Sequence, residues 1–227
     1  MQGRATHVFV IIPFYNETRV LPETLASVLA LGYNVVAVDD GSTDDSYRIA
    51  AELPVHLLRH AVNLGQGAAL ATGIEYALGQ GADFIVTFDA DGQHDASDIA
   101  VLLAPLRQDT ADVVLGSRFM NTASTMPPSR RLLLKLAMLY TRMTTGVWFS
   151  DVHNGLRAFT ARAARMITIR QNRMAHASEI LSEIIRLRLR YVFVPVRVVY
   201  TDYSQRKGQR TLDAIGILMD LFEGKLQ

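Results

Sequence analysis

The sequence predicts an α/β fold built on a mostly parallel sheet with helices on both faces. Strand-like and helix-like stretches alternate along residues 5–118. The strand-like stretches are apolar throughout, the mark of strands buried on both faces. Each of them also runs into a polar cluster, and doubly wound sheets hold their ligands beyond the carboxyl ends of the strands.

Residues 7–13 are continuous, β-branched and stopped by Pro13, so they read as a buried strand. A helix over 22–31 starts with Pro22 in its first turn and stops at Gly32. Residues 33–39 form the second strand, and Ser42 or Asp44 can cap a helix over 45–52. A short third strand covers 55–59. The helix after Gly65 runs over 66–78 and ends at Gly79 and Gly81. Residues 83–89 are the fourth strand, 96–107 a helix, and 111–117 the fifth strand. Beyond these, 130–145 read as a basic helix, 155–160 as a strand, and 175–190 as a helix. Residues 191–201 are a strand that Pro195 assigns to an edge or a bulge. A polar loop over 204–210 and an amphipathic helix over 211–226 close the chain.

With 227 residues, 49% hydrophobic and 20% charged, the chain is globular rather than disordered. It has no Cys, which excludes disulfides, thiol catalysis and Cys-ligated metal centres. No run of about 18 uncharged apolar residues is present to span a bilayer, and the first residues lack a signal-peptide core. The net charge of +1 hides an asymmetry. Residues 1–112 carry 15 acids and 5 bases, whereas residues 113–178 carry 10 bases and a single acid, Asp151. The first part has carboxylates for a metal, and the second can hold an anion or an acidic surface. Solvated helix faces are the plainer reading of the basic part.

The polar clusters are Pro13-Phe14-Tyr15-Asn16-Glu17, Asp39-Asp40-Gly41-Ser42-Thr43-Asp44, Asn63-Leu64-Gly65-Gln66-Gly67, Asp89-Ala90-Asp91-Gly92-Gln93-His94 and Gly116-Ser117-Arg118. Five on one rim argue for a site. Asp89-x-Asp91 with Gln93 is the sharpest element: two carboxylates leaving a strand suit a hard cation, Mg²⁺ or Mn²⁺. Such an ion bridges phosphates and offsets charge on a leaving diphosphate. A capped turn is the bland reading. His94, a lone His, reads as a supporting or surface residue. The glycines at 65 and 67 either bring backbone N–H groups to a phosphate or allow close packing. Leu70 stands where a dinucleotide fingerprint needs its third Gly.

As an ordered set these clusters resemble family 2 glycosyltransferases of the GT-A fold, in the branch of dolichol-phosphate mannose synthases and bacterial polyprenyl-phosphate glycosyltransferases. Asp151-x-x-x-Gly155-x-Arg157-x-Phe159 and Val194-Pro195-Val196 with Tyr200 and Ser204 extend the likeness over most of residues 7–208. The resemblance implies one GT-A domain over 1–210, with a nucleotide-binding half (1–118) and an acceptor half (119–210), followed by the amphipathic helix of 211–227. It implies that Pro13, Tyr15, Glu17, Asp39 and Asp40 hold the nucleoside, with Gly65 and Ala90 also at the donor. Asp89, Asp91 and Gln93 would hold Mg²⁺ or Mn²⁺ and the diphosphate, making Asp91 central to catalysis. Arg118 would lie near phosphate, Arg157 and Ser204 at the acceptor phosphate, and Arg206 and Lys207 on a loop that closes on the donor. The reaction implied is an inverting, metal-dependent transfer of a sugar from a UDP- or GDP-sugar to a polyprenyl or dolichyl phosphate.

Two departures stand out. Many relatives carry C-terminal membrane helices, and this chain has none. The region of Glu179 lacks the Glu-Asp pair that many members use as a base. A phosphate acceptor tolerates that gap, because its second pKa is about 6. A sugar-hydroxyl acceptor needs a base, for which Asp151 or Glu179 is the candidate. A haloacid-dehalogenase-type phosphatase shares the strand followed by Asp89-x-Asp91-Gly92, but wants Thr or Val where Gln93 stands. A nucleotide-sugar-binding subunit without activity is the non-enzymatic alternative, against which the intact Asp89, Asp91, Gln93 and Arg118 argue.

The helix of 130–145 sets Leu132, Leu133, Leu136, Leu139, Tyr140 and Met143 on one face, with Arg131, Lys135 and Arg142 beside it and Trp148-Phe149 after it. That pattern suits an interfacial helix on an anionic leaflet, or equally a helix packed on the core or on a second copy of the chain. The expectation is a protein peripheral on the cytoplasmic face of a membrane, with a small membrane subunit or a homodimer as further options and no nucleic-acid partner.

Overall fold

The computed structural model describes residues 6–120, 150–151, 154–173 and 175–199. Its first part alternates as expected: β1 (Val8–Phe14), α1 (Leu21–Leu29), β2 (Asn34–Asp39), α2 (Ser46–Ala51), β3 (His56–Arg59), α3 (Gln66–Gly79), β4 (Phe84–Thr87), α4 (Asp98–Arg107) and β5 (Val113–Ser117). The second part adds β6 (Arg157–Thr160), α5 (Ala161–Met166), α6 (His176–Arg186) and β7 (Tyr191–Pro195). The predicted helices over 130–145 and 211–226 and the loop over 204–210 lie outside the described residues.

The seven strands form one sheet in the order β3-β2-β1-β4-β6-β5-β7. All neighbours are parallel except β6, which runs antiparallel to both β4 and β5. The sheet is mostly parallel, as the apolar strands predict. Every residue of β1 is buried, and successive side chains enter opposite faces. Val8, Val10 and Ile12 join α1 and α4 in one core layer, through Leu21, Leu25, Ile99 and Leu103. Phe9 and Ile11 join α3 and α6 in the other, through Leu70, Ala77, Ile180 and Ile184. Full burial of each large aliphatic side chain stabilises the fold by about 1.5–3 kcal/mol.

Three local features depart from the sequence reading. The strand expected over 155–160 begins at Arg157 and is antiparallel. Helix α5 was not anticipated, although its signal is present: the Thr160 hydroxyl caps it by accepting from Ala163 N–H at 3.1 Å, ahead of an Ala/Arg run of good helix formers. Helix α6 ends at Arg186, and Arg188 then adopts a left-handed φ of 50°. β7 is an edge strand, as Pro195 predicts.

One ion cluster ties the entrances of β5 and β7 to α5. Asp112 accepts from Arg190 N–H (2.9 Å) and Nε (3.2 Å) and from an Arg162 guanidinium nitrogen (2.6 Å). Its side chain is 5% exposed. The Arg190 hydrogen bonds, opposed by burial and aided by Arg162, hold the Asp112 carboxyl well below the usual carboxylate range. A carboxyl depressed by folding stabilises the native state above its unfolded pKa of about 3.9 and loses that contribution as pH falls through the folded value. We therefore expect Asp112→Asn to cost about 2 kcal/mol at neutral pH. Urea titrations should show the gap to wild type constant down to about pH 5 and narrowing below about pH 4.

Candidate active site

Adjacent β1 and β2 bring the first two polar clusters together, with Phe14 opposite Asp39. Asn16 takes a left-handed φ of 53°, which Asn tolerates better than most side chains. Its Oδ1 accepts from Thr43 N–H (2.9 Å) and Asp44 N–H (3.3 Å). In return Ser42 Oγ accepts from Asn16 N–H and Ser46 Oγ from Glu17 N–H, at 3.0 and 2.8 Å. The Thr18 hydroxyl also bonds Asp44. Much of this Asn- and Ser-rich sequence therefore fastens one strand-end loop to the other. Pro13 is the penultimate residue of β1, Glu17 is buried, and Tyr15 is 40% exposed on the rim.

The two acids ending β2 have different tasks. Asp39 accepts from Ser42 N–H at 2.8 Å, and Arg59 Nε lies 3.1 Å from its other oxygen. The Arg59 guanidinium in turn sits 4.3 Å over the Tyr47 ring. Asp40 accepts from Leu64 N–H (2.9 Å), Gly65 N–H (2.7 Å) and His60 Nδ1 (2.8 Å). His60 Nε2 reaches Thr72 Oγ1 at 3.0 Å. Asp40 thus pins the glycine loop that follows β3.

That loop is packed against the later part of the chain. A Cβ on Gly65 or on Gly67 would collide with the backbone carbonyls of Asn172 and Gln171, respectively. Gly65 also has a φ of 108°, a region side chains avoid. Asn172 O accepts from Gly67 N–H at 2.7 Å and from Ala68 N–H at 3.4 Å. Of the two readings of these glycines, close packing is the one the contacts realise: the N–H groups opening α3 face a protein carbonyl.

Asp89 lies two residues beyond β4, with a side chain 26% exposed. Gln66 Nε2 donates to its Oδ1 at 2.8 Å, and His94 Nε2 lies 3.2 Å from Oδ2. A Cβ on Gly155 would strike both carboxylate oxygens. Thr87 Oγ1 holds that glycine by donating to its carbonyl at 2.6 Å. His94, 4% exposed, is a support for Asp89 rather than a surface residue. Burial alone would raise the Asp89 pKa. The His94 hydrogen bond, followed by the electrostatic pull of His94, His176 and Arg157, outweighs it and holds the carboxyl below its usual value. Asp91 behaves oppositely: burial, and then repulsion from Asp89 and Glu17, push it up to about 6. Ala90 between them is buried. Gln93, also buried, donates its N–H to Asp91 (3.0 Å) and accepts from Val199 N–H (2.8 Å).

A carboxylate whose ionisation is made costly by a neighbouring carboxylate, as that of Asp91 is by Asp89, is what a divalent cation relieves. Among the described residues no three His, Asp or Glu side chains gather into a metal cage. The residues present therefore fit an ion that shares its coordination with a substrate's phosphates, the usual habit of Mg²⁺.

The arginines stand at one end of the sheet, where β5 ends and the antiparallel β6 begins. Arg118 and Asp151 form a buried pair: Asp151 Oδ2 accepts from Arg118 Nε at 2.7 Å and from its N–H at 3.1 Å. Arg157, 4% exposed, donates from Nε to Asn154 O at 3.0 Å. Burial lowers its pKa to about 10, against the pull of Asp89 and Asp151, so it remains a cation at neutral pH. Glu179 Oε2 accepts from Arg170 N–H (3.0 Å) and Gln171 N–H (2.9 Å), fastening the loop that packs on Gly65 and Gly67. Tyr200, Ser204, Arg206 and Lys207 lie outside the described residues. Gln66, His60 and the steric role of Gly155 escaped the sequence reading. Gln66 stood in plain view between two glycines, but its partner is 23 positions away.

The family described as Glycosyl transferase family 2 matches residues 9–167. The UDP-N-acetylglucosamine–dolichyl-phosphate N-acetylglucosaminyltransferase of Methanococcus voltae is 32% identical over 241 residues, covering 96% of each chain. The undecaprenyl-phosphate mannosyltransferase of Micrococcus luteus is 32% identical over 212 residues, 88% of this chain and 86% of that one. Among solved structures, glucosyl-3-phosphoglycerate synthase from Mycobacterium tuberculosis, in complex with Mn²⁺, UDP and glucosyl-3-phosphoglycerate, aligns at a TM-score of 0.70. That alignment has 16% identity and covers 93% of this chain and 75% of that one, so it speaks to the fold. The likeness runs through the strand ends that build the rim and on through β6, and on it the chain belongs to glycosyl transferase family 2, an enzyme of the GT-A fold.

Proposed function

We propose that the protein transfers a hexose, with inversion, from a UDP- or GDP-sugar to the phosphate of a polyprenyl or dolichyl phosphate. The observation that carries this reading is the state of the two candidate bases. Asp151 is paired with Arg118, and Glu179 anchors the loop of residues 170–171. A sugar hydroxyl would need a base to attack, whereas a phosphate monoester is largely ionised near neutral pH. The relatives from M. voltae and M. luteus, named for dolichyl- and undecaprenyl-phosphate acceptors, support the same acceptor class.

In this reading Tyr15, Glu17 and Asp39 contact the nucleoside, and Asp40 with His60 holds the glycine loop beside it. Gln66, His94 and Gly155 aim the Asp89 carboxylate. Asp89, Asp91 and Gln93 would hold Mg²⁺ or Mn²⁺, which when bound offsets charge on the leaving diphosphate. Arg118 and Arg157 draw the acceptor phosphate to the opposite face of the sugar, where fork-shaped donors suit its oxygens. A phosphate oxygen then forms the new bond to the anomeric carbon as the bond to the diphosphate breaks, which inverts that centre. Ser204 would complete the acceptor-phosphate contacts, and Arg206 and Lys207 would lie on a loop that closes on the donor.

Among the described residues no helix is long and apolar enough to cross a membrane. A lipid-phosphate acceptor still has to be met at a bilayer surface, so the reading includes peripheral attachment on the cytoplasmic face through the basic segment of 130–149.

Incubating the protein with Mn²⁺, a polyprenyl phosphate and UDP-glucose, UDP-N-acetylglucosamine or GDP-mannose should yield an acid-labile glycosyl phosphate lipid. Transfer confined to sugar-hydroxyl acceptors would overturn the reading. Excess chelator, or Asp91→Ala, should lower the rate on the order of a thousandfold, and undiminished turnover in chelator would exclude the metal. Arg157→Lys should cut kcat/KM for the polyprenyl phosphate by about tenfold to a hundredfold. Calorimetry should find its affinity for the donor within about twofold of wild type. Sedimentation with anionic vesicles should be strong in low salt and weaken as screening increases. Failure to sediment would point to a membrane subunit instead.

A further inference from the structure

Behind the Asp89 site stands a wall made by residues 170–173 and the first turn of α6. Three sets of hydrogen bonds fix it. Glu179 takes the N–H groups of Arg170 and Gln171. Asn172 O takes those of Gly67 and Ala68. Arg173 O accepts from His176 N–H at 3.1 Å and from His176 Nδ1 at 2.7 Å.

His176 is 4% exposed. A Cβ on Gly67 would lie 3.0 Å from the His176 Cβ, and Gly67 follows Gln66, the residue that holds Asp89. The ring feels the charges of both Asp89 and Arg157. A carbonyl only accepts, so Nδ1 carries the proton toward Arg173 O. Burial, and next the Arg157 cation, lower the pKa of the ring and so favour its neutral form. In a neutral imidazole protonated on Nδ1, Nε2 is a lone-pair acceptor. No described residue donates to it.

The chemistry of that acceptor narrows its partner. A lone pair repels phosphate oxygens. It takes an uncharged O–H or N–H. The reacting group placed between a metal-bound diphosphate at Asp89 and an acceptor phosphate at Arg157 is the sugar in transit. We propose that His176 Nε2 accepts a hydrogen bond from one hydroxyl of the donor hexose and thereby helps decide which sugar is transferred. The inference rests on the transferase reading above. A site built to bond a hydroxyl discriminates strongly against a sugar lacking it, because the site's own polar group is then left unpaired.

The test uses whichever of UDP-glucose, UDP-N-acetylglucosamine and GDP-mannose the wild-type protein turns over with Mn²⁺ and a polyprenyl phosphate, together with its monodeoxy analogues. We expect His176→Phe to lose about tenfold to a hundredfold in kcat/KM on the complete donor. Wild type and His176→Phe should be equally slow on one monodeoxy donor, which identifies the hydroxyl. His176→Gln, whose amide oxygen comes near the position of Nε2, should restore most of the rate. Affinity for UDP or GDP with Mn²⁺ should be the same in all three proteins. Should His176→Phe melt more than about 5 °C below wild type, the His176→Gln protein and its monodeoxy profile carry the test. A loss of equal size on every analogue, or a parallel loss of nucleoside diphosphate affinity, would make His176 a packing residue and overturn the proposal. A wild-type protein inert toward all three donors would overturn the transferase reading itself, an outcome separable because no variant enters it.

Discussion

The site depends on a single threading event, the antiparallel insertion of β6 between β4 and β5. The pairing sets Arg157 opposite Thr87, two residues before Asp89. It also brings the backbone of Gly155 so close to the Asp89 carboxylate that no side chain fits there, and Thr87 Oγ1 locks that approach through the Gly155 carbonyl. The acidic first part of the chain and the basic second part would otherwise build separate surfaces. β6 makes one rim of them, with a metal-suited carboxylate pair and a buried guanidinium within reach of each other's fields.

A second constraint follows from burial. Buried charges need partners, and most acids near the rim have one that is structural. Asp40 receives two backbone N–H groups and His60, Glu179 receives two more N–H groups, and Asp151 receives Arg118. Each fastens one segment to another. Asp91 differs in kind: Asp89, itself held ionised by His94 and bonded by Gln66, adds to the burial that raises the cost of ionising Asp91. Unrelieved repulsion between neighbouring carboxylates is characteristic of places where an external cation completes the site. The distribution of the acids, more than their number, therefore distinguishes the reactive end of the rim from its scaffold.

The loop of residues 170–173 joins the two halves of the site. It covers the opening of α3 with a carbonyl, fills the space left by Gly65 and Gly67, and carries the backbone oxygen that orients His176. Two elements far apart in sequence become one wall. The glycines are needed there because a backbone approaches them too closely for a side chain.

The sequence by itself determined the sheet and its rim. Continuous apolar strands can only be buried on both faces, so the parallel core, the order of elements through β5 and the gathering of polar clusters at strand ends were all legible in local pattern. Pro195 marked the edge strand for an equally local reason, the missing N–H. Asp89-x-Asp91 could be recognised because both carboxylates belong to one turn. What only the tertiary structure decided was who bonds whom. That Asp40 grips Gly65, that Glu179 grips Gln171, that Gln66 and Gly155 frame Asp89, and that Asp151 pairs with Arg118 all depend on contacts between residues 8 to 66 positions apart. A carboxylate carries no local mark of its partner: its role follows from which donors the sheet order brings within 3 Å, and that order was set by β6, whose direction no periodicity encodes.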